Sequence, residues 1–275
     1  MPIEHVTDAL DPRLADYRVP RDVDHRARGI FVVESRLAVR QLLQSPRFAT
    51  RSLLTTAATL EGLRDVLEDQ AAARPVLVTS PEIIREVVGF KFHRGCLAVG
   101  ERGVPLAPGE LIEPTGARTV LVLEGLVDPE NVGAVFRNAL AFGADAVLLA
   151  RGCGDPLGRK AIRASAGGTL RIPFASLHDW PRELVQLRMA GYELMALTPD
   201  GATDLAELGR SHPLARRVSL LLGGEGYGLS ESVRKEATLT VRVAMAAGVD
   251  SLNVATACGI ALYHLGRPAR ATDQT

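Results

Sequence analysis

A chain of 275 residues, 47% of them hydrophobic, is long enough to bury a substantial core and to form two domains, which excludes a disordered or disulfide-framed miniature protein. Its 32 basic and 32 acidic residues cancel, so no global positive field announces a nucleic-acid partner, although a balanced total is compatible with a basic face. Three cysteines (Cys96, Cys153 and Cys258) match no metal-ligand spacing, and no apolar run reaches the roughly 18 residues of a membrane span. The expectation is a soluble cytoplasmic protein with reduced structural thiols, no bound metal and no membrane anchor. Arginine carries nearly all the positive charge, with lysine only at Lys91, Lys160 and Lys235. That suits bidentate phosphate contacts, though a genome biased toward arginine codons is the plainer explanation.

Residues 1–28 read as a polar extension, a short helix followed by loop, in which arginines interleave with aspartates. From Gly29 the pattern changes. GIFVVES, RSLLTT, PVLVTS and GCLAVGE read as strands, and RLAVRQLLQS, LEGLRDVLEDQAA and PEIIREVVG as helices, a small α/β domain over 29–101. RGVPLAPGELIEPTGAR, residues 102–118, is rich in proline and glycine and reads as a linker.

Over 119–275 the alternation restarts, with strands expected at TVLVLEG, AVLLA, LRIPFA, YELMALT, RVSLLLG and ATLTVRVA and helices between several of them. Alternating β and α segments imply a mostly parallel sheet covered by helices. Ligands of such sheets sit beyond the carboxyl ends of the strands, so the loops after Glu124, Leu197, Leu222 and Val243 are where chemistry is expected.

The first of these loops opens NVGAVFRNALAFGA. Asn131 is suited to cap the helix, Gly133 leaves room at its first turn, and Arg137 is an arginine on an otherwise apolar helix. The second, LLLGGEGYGLSE, surrounds one carboxylate, Glu225, with Gly223, Gly224, Gly226 and Gly228, a tight backbone path whose polar groups are open to a ligand. It is neither a P-loop nor a dinucleotide fingerprint. In the third, VRVAMAAGVDSLNVATACGIAL, Ser251 is suited to cap a helix carrying Asn253 in its first turn, and the helix is crowded with small residues.

In this order and spacing the three loops resemble the sequence motifs of the SpoU/TrmH-type RNA ribose 2′-O-methyltransferases of the SPOUT class, from about Arg118 to Leu265. RASAGG at 163–168 adds to the likeness. Residues 29–100 resemble, more loosely, the small ribosomal-protein-like RNA-binding domain that precedes the catalytic domain in ribosomal-RNA members. The resemblance implies a mostly parallel sheet closed by a deep trefoil knot, S-adenosylmethionine as the methyl donor, and a homodimer whose knots pack through the small-residue helix after Ser251. It also implies site roles. Gly223, Val243 and Leu252 would hold the adenosine part through their backbone, with Thr198, Gly224, Met245 and Asn253 nearby. Val243 stands where isoleucine is usual, and Ala244 where proline is. Arg137 would meet the ribose hydroxyl and Asn131 would orient Arg137 or the ribose. Glu225 would pair with Arg137 or with an arginine across the dimer, and Ser251 and Asn253 would bind the ribose and the cofactor's carboxylate region. RNA would be held by the N-terminal domain and by arginines such as Arg94, Arg159 and Arg163.

The additional N-terminal domain favours ribosomal over transfer RNA as the substrate, leaving a tRNA 2′-O-methyltransferase and a noncatalytic RNA-binding protein as alternatives. A nicotinamide-dependent dehydrogenase, the rival raised by the βαβ alternation, lacks G-x-G-x-x-G and leaves the second and third loops without a role.

Overall fold

The computed structural model describes residues 3–18, 21–68, 74–89, 95–113, 118–208 and 215–265. In chain order its elements begin with β1 (Ile3–His5), α1 (Asp22–Ala27), β2 (Ile30–Glu34), α2 (Arg36–Leu43), β3 (Thr50–Thr55), α3 (Ala57–Glu61), α4 (Arg64–Glu68), β4 (Val76–Val78), α5 (Pro81–Val88) and β5 (Cys96–Glu101). They continue with α6 (Pro108–Ile112), β6 (Thr119–Glu124), α7 (Pro129–Phe142), β7 (Ala146–Leu149), α8 (Arg159–Ala164), β8 (Phe174–Ser176) and α9 (Leu184–Met189). The last are β9 (Glu193–Leu197), β10 (Thr203–Asp204), β11 (Val218–Gly223), α10 (Glu231–Glu236), β12 (Leu239–Arg242) and α11 (Val254–His264). By contact the chain divides into two compact units, Met1–Pro105 with Leu157–Arg171, and Leu106–Pro156 with Ile172–Thr275.

The first unit is built on a mixed sheet of order β1-β4-β3-β5-β2, in which β5 runs antiparallel to β3 and β2. Local signals explain its helices. Ser35 and Ser80 each accept a hydrogen bond from the backbone N–H three residues on, capping α2 and α5, and Gly89 ends α5 in the left-handed region. The helix expected over LEGLRDVLEDQAA is instead two short helices broken after Glu61, where Gly62 stops the first. The extension also differs from the expected helix and loop. Ile3 to His5 pair in parallel with Val76 to Val78 of β4, and Leu14 and Tyr17 are buried, the Tyr17 hydroxyl lying 2.7 Å from Ser52 Oγ. These apolar residues are too sparse for a periodicity, which is why only packing reveals them. Within this unit Arg159 of α8 donates to Asp22 through both its backbone N–H and its Nε, so its charge is compensated.

The second unit carries a seven-stranded sheet of order β10-β12-β9-β11-β6-β7-β8, parallel throughout. A parallel sheet buried on both faces favours nearly continuous apolar strands, and TVLVLE and VSLLL supply them, with Thr119, Ser219 and Glu124 the exceptions. Leu121, Leu123, Leu220 and Leu222 face one layer, completed by Val135 and Phe136 of α7 and Cys258 and Leu262 of α11. Their alternates Val120, Val122 and Leu221 face the other, against Leu184, Leu187 and Val233. Full burial of each such side chain contributes about 1.5–3 kcal/mol. The strand expected over LRIPFA is shorter: Gly168–Leu170 form a 3-10 turn and pairing begins only at Phe174, after a proline that has no N–H for the ladder.

This topology positions the site. β12, β9, β11 and β6 are neighbours and all run the same way, so the loops that follow them emerge at one edge of the sheet. Among the described residues no helix is long and apolar enough to cross a membrane, and no group of three or more His, Cys, Asp or Glu could hold a metal ion. Burial pushes the Cys96 and Cys258 thiols up to about 12.

Candidate active site

At the entry to α7 the chain reads Asp128-Pro129-Glu130-Asn131. Asp128, not Asn131, is the N-cap: its carboxylate accepts from Glu130 N–H, and Pro129 occupies the first helical position, where its missing N–H costs nothing. Asn131 is therefore inside the first turn with its side chain free for other work. Its Nδ2 donates to Glu225 Oε1 at 2.8 Å.

The third motif differs in the same sense. Asn253, not Ser251, caps α11: Oδ1 accepts from Ala255 N at 2.9 Å and Thr256 N at 3.3 Å. The Nδ2 of the same amide donates to Asn131 Oδ1 at 2.9 Å and to Glu225 Oε1 at 3.2 Å. One residue from each motif thus meets in a single hydrogen-bonded cluster. Glu225 accepts from two amides, and among the described residues it makes no ion pair, so the expected pairing with Arg137 is absent within the chain.

The loop that presents Glu225 is tightly built. A Cβ on Gly223 would lie 2.1 Å from the Gly228 carbonyl carbon, and one on Gly224 would lie 2.1 Å from Gly125 O. These two positions need glycine because the chain's own backbone approaches there. Gly224 and Gly228 form an isolated bridge, which closes the turn made of Glu225, Gly226 and Tyr227.

Behind the cluster lies a cavity of about 650 Å³, within the range of small-molecule sites. Every residue expected to hold the donor lines it: Thr198, Gly223, Gly224, Val243, Met245 and Leu252. Glu225, Ser251 and Asn253 line it too. Thr198 is anchored to β12, its N–H donating to Val241 O at 2.9 Å, so the start of the loop after β9 is held against that strand. The one cation on the wall, Arg234, is engaged by Asp200 at 2.6 Å, and that pairing holds the Asp200 carboxyl below the usual range. A mostly apolar cavity with its arginine already neutralised is poorly suited to phosphate. It fits a phosphate-free ligand of nucleoside size, which S-adenosylmethionine is.

Arg137 stands apart. It is exposed, makes no hydrogen bond or ion pair among the described residues, and lines an open groove between α7 and α11 that Asn253 also borders. The two helices pack closely there: Asn138 Nδ2 donates to Ala255 O at 2.6 Å, and a Cβ on Gly259 would lie 3.2 Å from the same amide. Part of the small-residue character of α11 is thus spent within the chain. Of the arginines expected to hold RNA, Arg163 is exposed, Arg159 is paired with Asp22, and Arg94 lies outside the described residues. Sequence reasoning missed Arg234 and Asp200, which carry no motif signal. It also missed Asp128, which the Asp-Pro pair before the helix does signal.

Comparison with known proteins bears on this arrangement. The model of the SpoU rRNA methylase family matches residues 118–263. A tRNA/rRNA methyltransferase of Mycobacterium bovis, itself uncharacterized, is 39% identical over 273 residues, covering 96% of this chain and 92% of its own; one of Mycobacterium tuberculosis matches equally. Among solved structures, the AdoMet-bound rRNA methyltransferase of Sinorhizobium meliloti shares the fold with a TM-score of 0.80 at 24% identity, covering 96% of this chain and 97% of that one. An RNA 2′-O ribose methyltransferase gives 0.75 at 25% identity, over 95% of this chain and 98% of its own. A family match across all three motif loops and a relative alike over nearly the full length mean that the chain belongs to the SpoU family of RNA ribose 2′-O-methyltransferases.

Proposed function

We propose that the chain transfers a methyl group from S-adenosylmethionine to a ribose 2′-hydroxyl of ribosomal RNA, acting as a cytoplasmic homodimer. The observation that carries this reading is the cluster of Asn131, Glu225 and Asn253 at the rim of a nucleoside-sized cavity. Gly223, Val243 and Leu252 would hold the donor's adenosine, with Thr198, Gly224 and Met245 around it. The donor supplies an electrophilic methyl carbon on a positively charged sulfur.

The chain's own residues then have three tasks. They must exclude water from the reacting oxygen, aim it in line with the carbon–sulfur bond, and leave a path for its proton. The oxygen–carbon bond forms as the carbon–sulfur bond breaks, and the proton leaves to water or to a phosphate oxygen. Arg137 is not the base, because a guanidinium stays protonated in proteins. An exposed, unpaired guanidinium bordering the same asparagine as the cavity suits a grip on the phosphate beside the target ribose. Asn131, Glu225 and Asn253 fix the rim that receives the ribose, and Ser251, on the cavity wall without a hydrogen-bond partner among the described residues, is available to its hydroxyls.

Ribosomal RNA is favoured by an N-terminal α/β domain, taken over about 29–101 as the RNA-binding domain, with 102–118 as linker and 119–275 as the methyltransferase domain. The deep trefoil knot belongs to the same reading. The homodimer is supported by the groove of Ala134, Phe142, Ile260 and Tyr263, an apolar surface with Tyr263 72% exposed. Tritium transfer from labelled S-adenosylmethionine to separated ribosomal and transfer RNA, both from a deletion strain, tests the reading. Label in ribosomal RNA, mapped by reverse-transcription stops at low dNTP, is expected. Label in transfer RNA alone would reject the substrate, and an active monomer in sedimentation would reject the dimer.

A further inference from the structure

Tyr227 is 100% exposed, at the tip of the loop that carries Glu225. Only 4% of the chain is aromatic, and the other described aromatic residues of the second unit are spent on packing or ring contacts: Phe136 on Phe174, Phe142 on Tyr263, Tyr192 in the core, Trp180 on Glu124. Tyr227 has no hydrogen bond or ring contact among the described residues. Aromatic side chains normally contribute by burying their large surface, so a ring held wholly in water contributes nothing to this fold.

The ring is nevertheless presented on a hydrogen-bonded turn. Gly226 and Gly228 flank it at φ +87° and +65°, conformations that place Tyr227 at the apex of the turn. Gly228 N–H donates back to Gly224 O at 3.0 Å, and Glu225, two residues away, is bonded to both Asn131 and Asn253. Tyr227 also lines the same cavity as Ser251 and Leu252, and Leu252 is 38% exposed. An unpartnered aromatic ring is therefore carried at the edge of the cavity, on the loop that presents Glu225.

We propose that Tyr227 is a substrate-positioning residue whose ring stacks on a nucleobase of the RNA at or next to the reacting ribose. This rests on the methyl-transfer reading above and deepens it. RNA sites are commonly read by splaying an unstacked base onto an aromatic side chain, and a stacking platform needs an exposed ring beside the site, which this loop provides. A ring face accepts any base, so Tyr227 contributes affinity and placement, with sequence choice left to groups that read base edges.

The test uses the full chain and, as probe, ribosomal RNA extracted from a deletion strain. Initial rates of tritium transfer are measured against RNA concentration for the wild type, Tyr227→Ala and Tyr227→Phe, with calorimetric titration of S-adenosylmethionine and a thermal melt for each. Tyr227→Ala is expected to raise the KM for RNA roughly 5- to 150-fold, the range of one lost base–aromatic stack. Cofactor affinity and melting temperature should stay unchanged, and Tyr227→Phe, which keeps the ring, should stay near wild type. An unaltered KM in Tyr227→Ala overturns the proposal. So does a Phe variant as impaired as the Ala variant, which would assign the effect to the hydroxyl, or a parallel loss of cofactor affinity, which would make Tyr227 a wall of the donor site. If the wild type labels no RNA, the methyl-transfer reading fails and this one with it, an outcome visible before any variant is compared.

Discussion

Asn253 performs two tasks with the two ends of one amide, and they can be separated. Its Oδ1 caps α11 and its Nδ2 donates to Asn131 and Glu225. Asn253→Ala removes both. Loss of the cap costs about 1 kcal/mol, and the two donated bonds, exposed to water, add at most about another 1 kcal/mol. For a domain of this size that lowers Tm by about 2–8 °C. Asn253→Asp keeps the acceptor and places a full negative charge at the helix N-terminus, which favours the fold by about 0.3–1 kcal/mol. The new carboxylate faces that of Glu225, and two charges at that separation in a water-like medium repel by about 1 kcal/mol. The cap-charge and repulsion terms nearly cancel, leaving the two lost donated bonds at about 1 kcal/mol at most, so Asn253→Asp should melt no more than about 4 °C below the wild type and above Asn253→Ala. It can no longer donate to either partner, and with that same bonding lost at the site kcat should fall by up to about fivefold. The assays are differential scanning fluorimetry and tritium transfer to RNA. Wild-type turnover by Asn253→Asp would refute the role of the cluster, and a melt as low as that of Asn253→Ala would refute the assignment of the cap to Oδ1.

Three further outcomes are expected. Gly224→Ala, whose Cβ would sit 2.1 Å from Gly125 O, should cost about 1–3 kcal/mol of overpacking and weaken S-adenosylmethionine binding measured by titration; unchanged binding would show the loop has slack. Arg137→Lys keeps the charge but loses the planar fork, so turnover should fall about tenfold or more with cofactor binding and Tm unchanged, and intact turnover would sink the phosphate grip. His25 is buried, with Nε2 bonded to Asp16 O and Nδ1 without a partner, and burial holds its pKa below the usual value. The unfolded chain therefore binds this proton more readily, so its contribution to stability is present above about pH 6.5 and is lost as pH falls through the folded-state pKa, with a slope of at most ~1.4 kcal/mol per pH unit. Denaturant melts from pH 7.5 to 5 should show that decline in the wild type and less of it in His25→Gln; equal slopes would contradict it.

Much of the second unit was legible because its signals are local. TVLVLE and VSLLL are nearly continuous apolar runs, as strands buried on both faces tend to be, and they fold as β6 and β11. Glycines at the ends of α5 and α7 mark where those helices stop. Caps were less legible. Asn131 and Asn253 are both residue types that cap well, but only one position per helix meets the first free N–H groups; Asp128 takes it in α7, Asn253 in α11, and Ser251 in neither. The strand at Ile3–His5 escaped because three residues pair only where a partner strand is already present.

Composition, apolar pattern and motif order determined by themselves that this is a two-part α/β protein, and singled out the loops after Glu124, Leu197, Leu222 and Val243 as the place to look for its site, because propensity, capping and burial pattern act over a few residues. Only the tertiary structure decided that Asn131, Glu225 and Asn253 share hydrogen bonds, that backbone packs against Gly223 and Gly224 where a Cβ would sit, and that Arg137 is unpaired among the described residues. Those contacts join residues up to 122 positions apart, and they exist because β12, β9, β11 and β6 lie side by side. Strand order is set by the packing of the whole sheet, and no single segment carries it.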